Sequence, residues 1–418
     1  MKILIVTPYY TPDLGPSAPL FASLSEDLVK LGHSVTVLAA VPHFPSGRVA
    51  PEYRHGLWQW QKQAGLDICR VWVPSGERSK LFHRLGTFII FQCLASLKGM
   101  TLKYDVILIT NPALETGIAF FFLAWLRRKP SIFCVWDVYP DVGVDLGIFR
   151  HRLIVQIVKG LEDFCLNNAN AVQVLDDAFI PKLIKRLTSK SIFDVIPPWV
   201  DTDFIQPGTR DNPFAQENDF VGKFVVLYAG NLGLSQGLEQ VNLAAQQLDG
   251  EDQIQFVYVG EGTNRETLIE QSQKLGLRNV HFLPYQPRRR LPEVLSTANL
   301  AIVSQINGLG DLSIPSKAFS ILASGRPILA VAGTGSALEK LITRAQAGRC
   351  VPPGDPAILA QAVLELSRDP ITTDQMGENG RIYATLHHSR MAAARRFDEL
   401  MKNVAIRKRG SNIKRQGH

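Results

Sequence analysis

Four short segments combine residue types that can do chemistry. The first is Gly230-Asn231-Leu232-Gly233-Leu234-Ser235-Gln236-Gly237, set between an apolar run and a helical pattern. Glycines let a backbone approach a ligand closely, and a helix start offers free N–H groups to phosphate. The spacing is neither the dinucleotide fingerprint nor the P-loop. A tight strand–helix turn with no ligand explains the glycines equally well. The second is Ile314-Pro315-Ser316-Lys317, which opens a helix that stops at Gly325. Proline suits a helix start, but a lysine in the first turn opposes the positive end of the helix dipole. A bound anion would remove the conflict. A solvated lysine would lose little, yet the anion is the better reading, because this loop follows an apolar strand in an alternating pattern.

The third segment is Trp136-Asp137-Val138-Tyr139-Pro140-Asp141, directly after an apolar run. Asp137 stands where a catalytic or substrate-binding carboxylate would, and equally where a turn cap would. The fourth is the first loop, with Asp13, Gly15 and Pro16, which is either a turn or a place for a ligand against the backbone. His43 follows the second apolar run as a lone histidine. His387-His388 has no partner cluster at metal-ligand spacing, and the sequence offers no metal site.

Elements of alternating type position these segments. Lys2 to Thr7, Ser34 to Ala40, Asp105 to Thr110, Ser131 to Trp136 and Ala171 to Leu175 read as strands separated by helical stretches. Leu20, Leu24, Leu28 and Leu31 recur at helical spacing, and Gly32 ends that helix. A stretch rich in Pro, Asp and Asn, Ile196 to Phe220, reads as a linker. Alternation then restarts with strands at Phe224 to Ala229, Ile254 to Val259, Val280 to Leu283, Leu300 to Ser304 and Pro327 to Val331. Helices at about Ala357 to Ser367 and Asp374 to Val404 close the chain. The fold class is α/β: two doubly wound, Rossmann-like units, each with ligands expected at the carboxyl ends of its strands. The expected division is 1–200, a linker over 201–222, 223–385, and a C-terminal helix with a basic tail over 386–418.

Bulk properties agree. The chain has 418 residues, 46% hydrophobic and 20% charged, which suits two or three domains and argues against disorder. Mean hydropathy of +0.03 allows a sizeable core and does not indicate a polytopic membrane protein. Net charge is +7 and the pI about 9.1, which favours anionic partners such as nucleotides or phospholipid surfaces. Arg288-Arg289-Arg290 and the end from Arg407 to His418, read as disordered, hold part of the excess. Neither is interleaved with aromatics, so nucleic acid is not favoured. Five scattered cysteines read as reduced core residues of a cytosolic protein. The start of the chain lacks a signal peptide's pattern, and the apolar runs Phe88 to Leu97 and Ile118 to Leu126 fall short of the ~20 residues a spanning helix needs. Both runs suit either a buried helix or one lying against a membrane surface.

Taken in order, the motifs resemble those of the retaining family-four glycosyltransferases of GT-B fold, over nearly the whole chain. The matching pieces are Met1-Lys2-Ile3-Leu4, Pro12-Asp13-Leu14-Gly15, Leu31-Gly32-His33-Ser34-Val35, Val200-Asp201-Thr202-Asp203-Phe204, Tyr228-Ala229-Gly230-Asn231, Val259-Gly260-Glu261-Gly262, Pro315-Ser316-Lys317 and Ser324-Gly325-Arg326-Pro327. The bacterial exopolysaccharide and O-antigen branch, colanic-acid fucosyltransferase-like proteins included, is the most similar. The resemblance implies two domains facing a central cleft. It implies a nucleoside-diphosphate sugar held mainly by the C-terminal domain, and a polyprenyl-linked or oligosaccharide acceptor held mainly by the N-terminal one. It also implies transfer with retention, no metal and no separate cofactor. On that basis the donor-binding residues are Gly15, Gly230, Asn231, Gly233, Gln236, Gly260, Gly262, Ser316, Lys317 and Ser320. Asp137 serves the acceptor.

The chain departs from the family pattern at the paired glutamates. The matching positions are Leu312 and Ser320, so the usual ribose carboxylate is missing and Asp311 is the substitute at the sugar. The family's Arg and Lys in the glycine loop correspond to Asn231 and Gln236. Lys317 is then left with the diphosphate, with Arg326 or Arg288 as helpers. The expected place of work is cytoplasmic, at the inner face of the membrane and in contact with anionic lipid. Two other readings remain open: a catalytically weak nucleotide-sugar-binding or assembly protein, and a nucleotide-sugar epimerase of similar fold.

Overall fold

Apolar runs that alternate with helices need cover on both faces, and the protein supplies it twice. The computed structural model describes residues 1–13, 15, 17–76, 81–139, 152–188, 192–306 and 314–416. The chain divides into two units, Met1–Pro197 with the segment from Ala393 onward, and Pro198–Ala392.

The first unit is built on eight strands: β1 (Lys2–Thr7), β2 (Ser34–Ala40), β3 (Trp58–Gln63), β4 (Leu66–Val71), β5 (Val106–Thr110), β6 (Ser131–Val135), β7 (Ala171–Val174) and β8 (Ile192–Val195). Their order is β3-β4-β2-β1-β5-β6-β7-β8. All neighbours are parallel except the β3–β4 hairpin. The inner strands are buried along nearly their whole length, as a sheet covered on both faces requires. The order turns back on itself at β1 and β5, and in such sheets ligands settle where neighbouring connections diverge.

The second unit has six parallel strands, β9 (Phe224–Ala229), β10 (Ile254–Val259), β11 (Val280–Leu283), β12 (Leu300–Ser304), β13 (Ile328–Val331) and β14 (Gly348–Val351), in the order β11-β10-β9-β12-β13-β14. Counted from its own first strand this is 3-2-1-4-5-6, the dinucleotide-fold order, with the switch point between β9 and β12.

Three expectations change. The stretch read as a linker contains a short helix, Pro213–Glu217, and places Ile205, Phe214, Ala215 and Phe220 in the second unit's core. Its four buried apolar residues are spread over about sixteen positions, only two of them in the helix, so they show no periodicity. The long final helix is two, Pro370–His387 and Arg390–Gln416. The break lies where His388 donates to Ala384 and accepts Val200 N–H, beside an isolated bridge between Val200 and Ser389. The basic end is helical to Gln416 rather than disordered, since extending a helix already nucleated on packed residues costs little per residue. Among the described residues, no helix is long and apolar enough to cross a membrane. The run Phe88 to Leu97 lies within the helix Leu81–Met100.

Candidate functional site

In the second unit the helix Lys317–Ala323 begins behind β12 and brings Lys317 over the end of β9. The Lys317 ammonium donates to the Tyr228 hydroxyl and lies 3.8 Å from the ring centroid of the same tyrosine. That hydroxyl in turn donates to Asn231 O at 2.7 Å. The direction of both bonds is therefore fixed, since an ammonium can only donate. Tyr228 is buried, and a cation over a buried ring gains about 2 kcal/mol. Among the described residues no carboxylate forms an ion pair with Lys317. Burial lowers its pKa to about 8, so at neutral pH it remains a cation with a hydroxyl and a π face for company. It opens onto a cavity of about 200 Å³ that Gly230, Tyr285, Gln286, Arg288, Lys317 and Ser320 help to line. The cavity lies at the carboxyl ends of β9, β10 and β11, beside the β9/β12 switch point.

The glycines around it serve two different ends. Gly230 has φ 137°, and a Cβ there would stand 3.3 Å from Lys317 Nζ, so this glycine keeps space for the ammonium. Gly260 and Gly262 make room for protein: a Cβ on Gly260 would meet Gly230 O at 1.9 Å, and one on Gly262 would meet Leu232 O at 2.3 Å. The loop after β10 thus lies backbone to backbone on the loop after β9, tied by Leu232 N–H to Glu261 O at 2.8 Å.

In the first unit Asn111 grips the turn that carries Asp137. Its amide donates to Asp137 O at 2.5 Å and its Oδ1 accepts Trp136 N–H at 2.9 Å. Asp137 is exposed as a residue, yet desolvation by surrounding protein raises the pKa of its carboxyl. Beneath the turn Glu162 is buried and accepts Ala113 N–H at 3.2 Å. Burial lifts it to about 8, against the bond from Ala113, the charge of Arg186 and the bond with Asn111. It is therefore largely neutral at neutral pH. Nearby, Tyr139 is pushed up to about 12 by burial and by Asp137, Glu115 and Glu162. At the end of β2, Asp13 accepts His43 N–H at 3.3 Å and Phe44 N–H at 2.8 Å, while His43 Nδ1 donates to Val41 O at 2.9 Å. The Tyr9 ring stacks on His43 at 5.6 Å.

Comparison with known proteins gives this geometry a context. Residues 17–199 match the glycosyl transferase 4-like domain, and residues 209–383 match the glycosyl transferases group 1 domain. The chain carries these two glycosyl transferase domains one after the other, together over most of its length. The transferase is 28% identical to the putative colanic acid biosynthesis glycosyl transferase WcaI of Escherichia coli over 336 residues, 78% of this chain and 82% of that one. Its fold is GT-B. Sucrose-phosphate synthase from Thermosynechococcus elongatus superposes with a TM-score of 0.70 at 20% identity, covering 97% of this chain and 99% of that one. Anabaena HepE in complex with UDP also gives 0.70, at 16% identity, covering 96% of this chain and 100% of the other.

The transferase brings together Gly230, Lys317 and Ser320 at one cavity. Asn231 is exposed beside Gly230, and its carbonyl accepts the Tyr228 hydroxyl. Gln236 is turned inward on its own loop, accepting Gly233 N–H at 2.9 Å, and a Cβ on Gly233 would meet both Asn231 and Gln236 side chains under 3.0 Å. Ser316 is exposed and its side chain forms no cap bond. Gly15 belongs to the first unit, where a Cβ would meet Tyr9 Cβ at 2.8 Å; it is glycine for that contact. Asp311 and Leu312 lie outside the described residues. Of the two arginines named as helpers, Arg288 lines the cavity with its guanidinium 5.6 Å from the Phe204 ring. Arg326 instead clamps Gly208 O at 2.5 Å and Ser296 O at 2.6 Å, a structural role.

Sequence reasoning missed Tyr228, Tyr285, Gln286, Asn111 and Glu162. Tyr228 reads as a core residue because it ends an apolar strand. Glu162 had a signal: it falls on the same helical face as Val158, Cys165 and Ala169, all buried, so a carboxylate there had to be unusual.

Proposed function

We propose that the protein transfers a sugar from a nucleoside-diphosphate donor to a lipid-linked glycan acceptor in bacterial surface polysaccharide synthesis, with retention at the anomeric carbon. The observation that carries this reading is Lys317, a cation without a carboxylate partner among the described residues, opening onto the cavity at the switch point. When the bond between the anomeric carbon and the diphosphate oxygen breaks, negative charge grows on the leaving group. An ammonium held in place beforehand stabilises that charge without reorganising. Arg288 adds a second cation at the same cavity. Asp137 orients the acceptor hydroxyl or takes its proton as the new glycosidic bond forms. As proposed, these groups do the work without a metal, so turnover should survive a chelator.

HepE, a structural neighbour, is described in complex with UDP and with UDP-glucose, which supports a nucleotide-sugar donor and makes UDP the first base to try. The role of WcaI in colanic acid biosynthesis supports a polysaccharide acceptor.

The test is a thermal-shift screen with UDP, GDP, ADP and dTDP sugars, followed by a turnover assay with the stabilising donor. A melting shift with release of the nucleotide supports transfer. A melting shift with no turnover, with lipid-linked acceptor present, would favour a binding or assembly protein, the reading to which Leu312 and Ser320 in place of glutamates point.

A further inference from the structure

The helix Leu81–Met100 has two apolar faces. One is core, with Phe88, Phe91 and Ala95 buried. The other faces water: Ile89 (53% exposed), Cys93, Leu97 (61%) and Met100 (43%) follow one another at helical spacing. Against the end of this helix stands a π-helical turn, Phe121–Leu126, whose Phe122, Trp125 and Leu126 are also exposed. The two elements are locked together. A Cβ on Gly99 would meet Leu123 Cδ1 at 2.6 Å, and Arg127 donates to Gly99 O at 2.9 Å and Leu102 O at 3.0 Å. The rings are braced from below, with Phe121 stacked on Trp125 at 5.0 Å and Trp125 at 6.0 Å from Phe164. The extra residue of a π-turn shifts the register of the side chains that follow, and here those are Trp125 and Leu126.

Along the two segments that form this face the charge has one sign. Residues 81–104 contain no Asp or Glu, and neither do residues 116–136. The cations there are Arg84, Lys98 and Lys103, then Arg127, Arg128 and Lys129. Lys98 lies 5.4 Å from the centroid of Trp60, itself half exposed. A second copy of this chain would meet the same cations and be repelled.

We propose that this face seats on an anionic lipid bilayer, with Ile89, Leu97, Met100, Trp125 and Leu126 entering the headgroup layer and Lys103 and Arg128 meeting lipid phosphates. Aliphatic and indole groups flanked by cations are what an interfacial surface needs. The proposal rests on the lipid-linked acceptor reading, since such an acceptor stays in the bilayer and the enzyme must come to it.

The test uses the full chain and vesicles of phosphatidylglycerol with phosphatidylcholine, against phosphatidylcholine alone, at low and high salt. Two surface variants, Ile89→Ser with Leu97→Ser and Trp125→Ser with Leu126→Ser, should each weaken sedimentation with the anionic vesicles about tenfold or more. Arg128→Glu with Lys103→Glu should weaken anionic binding and leave the weak neutral binding unchanged. An unaltered melting shift with UDP or the donor found in the screen shows that each variant is folded. Native protein that pellets equally with all variants would overturn the face and assign membrane binding elsewhere. Native protein that pellets under no condition would overturn the face too, while the turnover assay judges the transferase reading separately. A concentration-dependent dimer dissolved by the same variants, with no vesicle binding, would replace lipid by a second copy.

Discussion

Burial draws two side chains to the same pKa from opposite directions. In the second unit Lys317 falls to about 8, and in the first Glu162 rises to about 8. The cause is one: low-dielectric surroundings disfavour the charged form of each. The consequence differs, because at neutral pH the lysine is still charged and the glutamic acid is neutral. Lys317 opens onto a cavity and can be relieved by an anion from outside. Glu162 is sealed against the Ala113 amide and is relieved by its own proton. One unit leaves a charge facing a cavity; the other removes a charge beneath a turn.

The strongest challenge to that contrast is made at Asp137, the exposed residue that the Asn111 clamp presents. Asp137→Asn is expected to cut turnover by about 10²–10⁴ while leaving donor affinity nearly unchanged. Loss of donor binding with turnover preserved at saturation would move Asp137 out of the acceptor role. Next comes the lysine. A charge-assisted phosphate contact is worth about 1.5–3 kcal/mol, so Lys317→Ala should weaken nucleotide binding about tenfold or more in calorimetry. Wild-type affinity should also fall as pH rises through about 8, where the free ammonium loses its proton. In Lys317→Arg that dependence should flatten. Nucleotide affinity unchanged between pH 7 and 9 would break the assignment.

Stability gives two smaller readouts of opposite sign. The folded-state pKa of Lys317 lies below the ordinary lysine value of 10.5, so its burial costs stability at and below pH 8, and the cost disappears as pH climbs from 8 to 10.5. Lys317→Met should therefore raise the stability of the ligand-free protein by about 1–3 kcal/mol at pH 7, with the gain fading towards pH 10. Glu162 has a folded pKa above its ordinary 4.5, so its cost is absent below pH 4.5 and grows until pH 8. Glu162→Gln should be nearly neutral at pH 4.5 and stabilising by about 1 kcal/mol or more at pH 8, measured by chemical denaturation. If both variants change stability equally at every pH, packing and not charge explains them.

Much of the architecture was legible because doubly wound sheets write themselves as apolar runs spaced by helices. The strands at Lys2–Thr7, Phe224–Ala229 and Ile254–Val259 coincide with their expected bounds. The β3–β4 hairpin escaped because its turn is Ala64-Gly65, with φ of 50° and 79°: both positions are left-handed, yet alanine hides the usual Asn-Gly signature. At the site, Lys317 was visible from its conflict with the helix dipole. Its partner was not, since Tyr228 comes from a strand 89 residues earlier and only the fold brings the two together. The glycines at 260 and 262 were read as ligand contacts, whereas sequence spacing cannot tell close approach to a ligand from close approach to another loop.

The path of the chain between the units has a consequence for biosynthesis. The first unit is not finished at Pro197; it is completed by the segment from Ala393, where Phe397, Leu400, Met401 and Val404 are buried and Asp398 meets His33 at 3.0 Å. A ribosome therefore releases the whole of the second unit before the first can close. Domains emerging in order usually fold in order, but here the unit that begins first must wait with its last hydrophobic seam open until the segment from Ala393 emerges, and the inner domain is the one able to fold first.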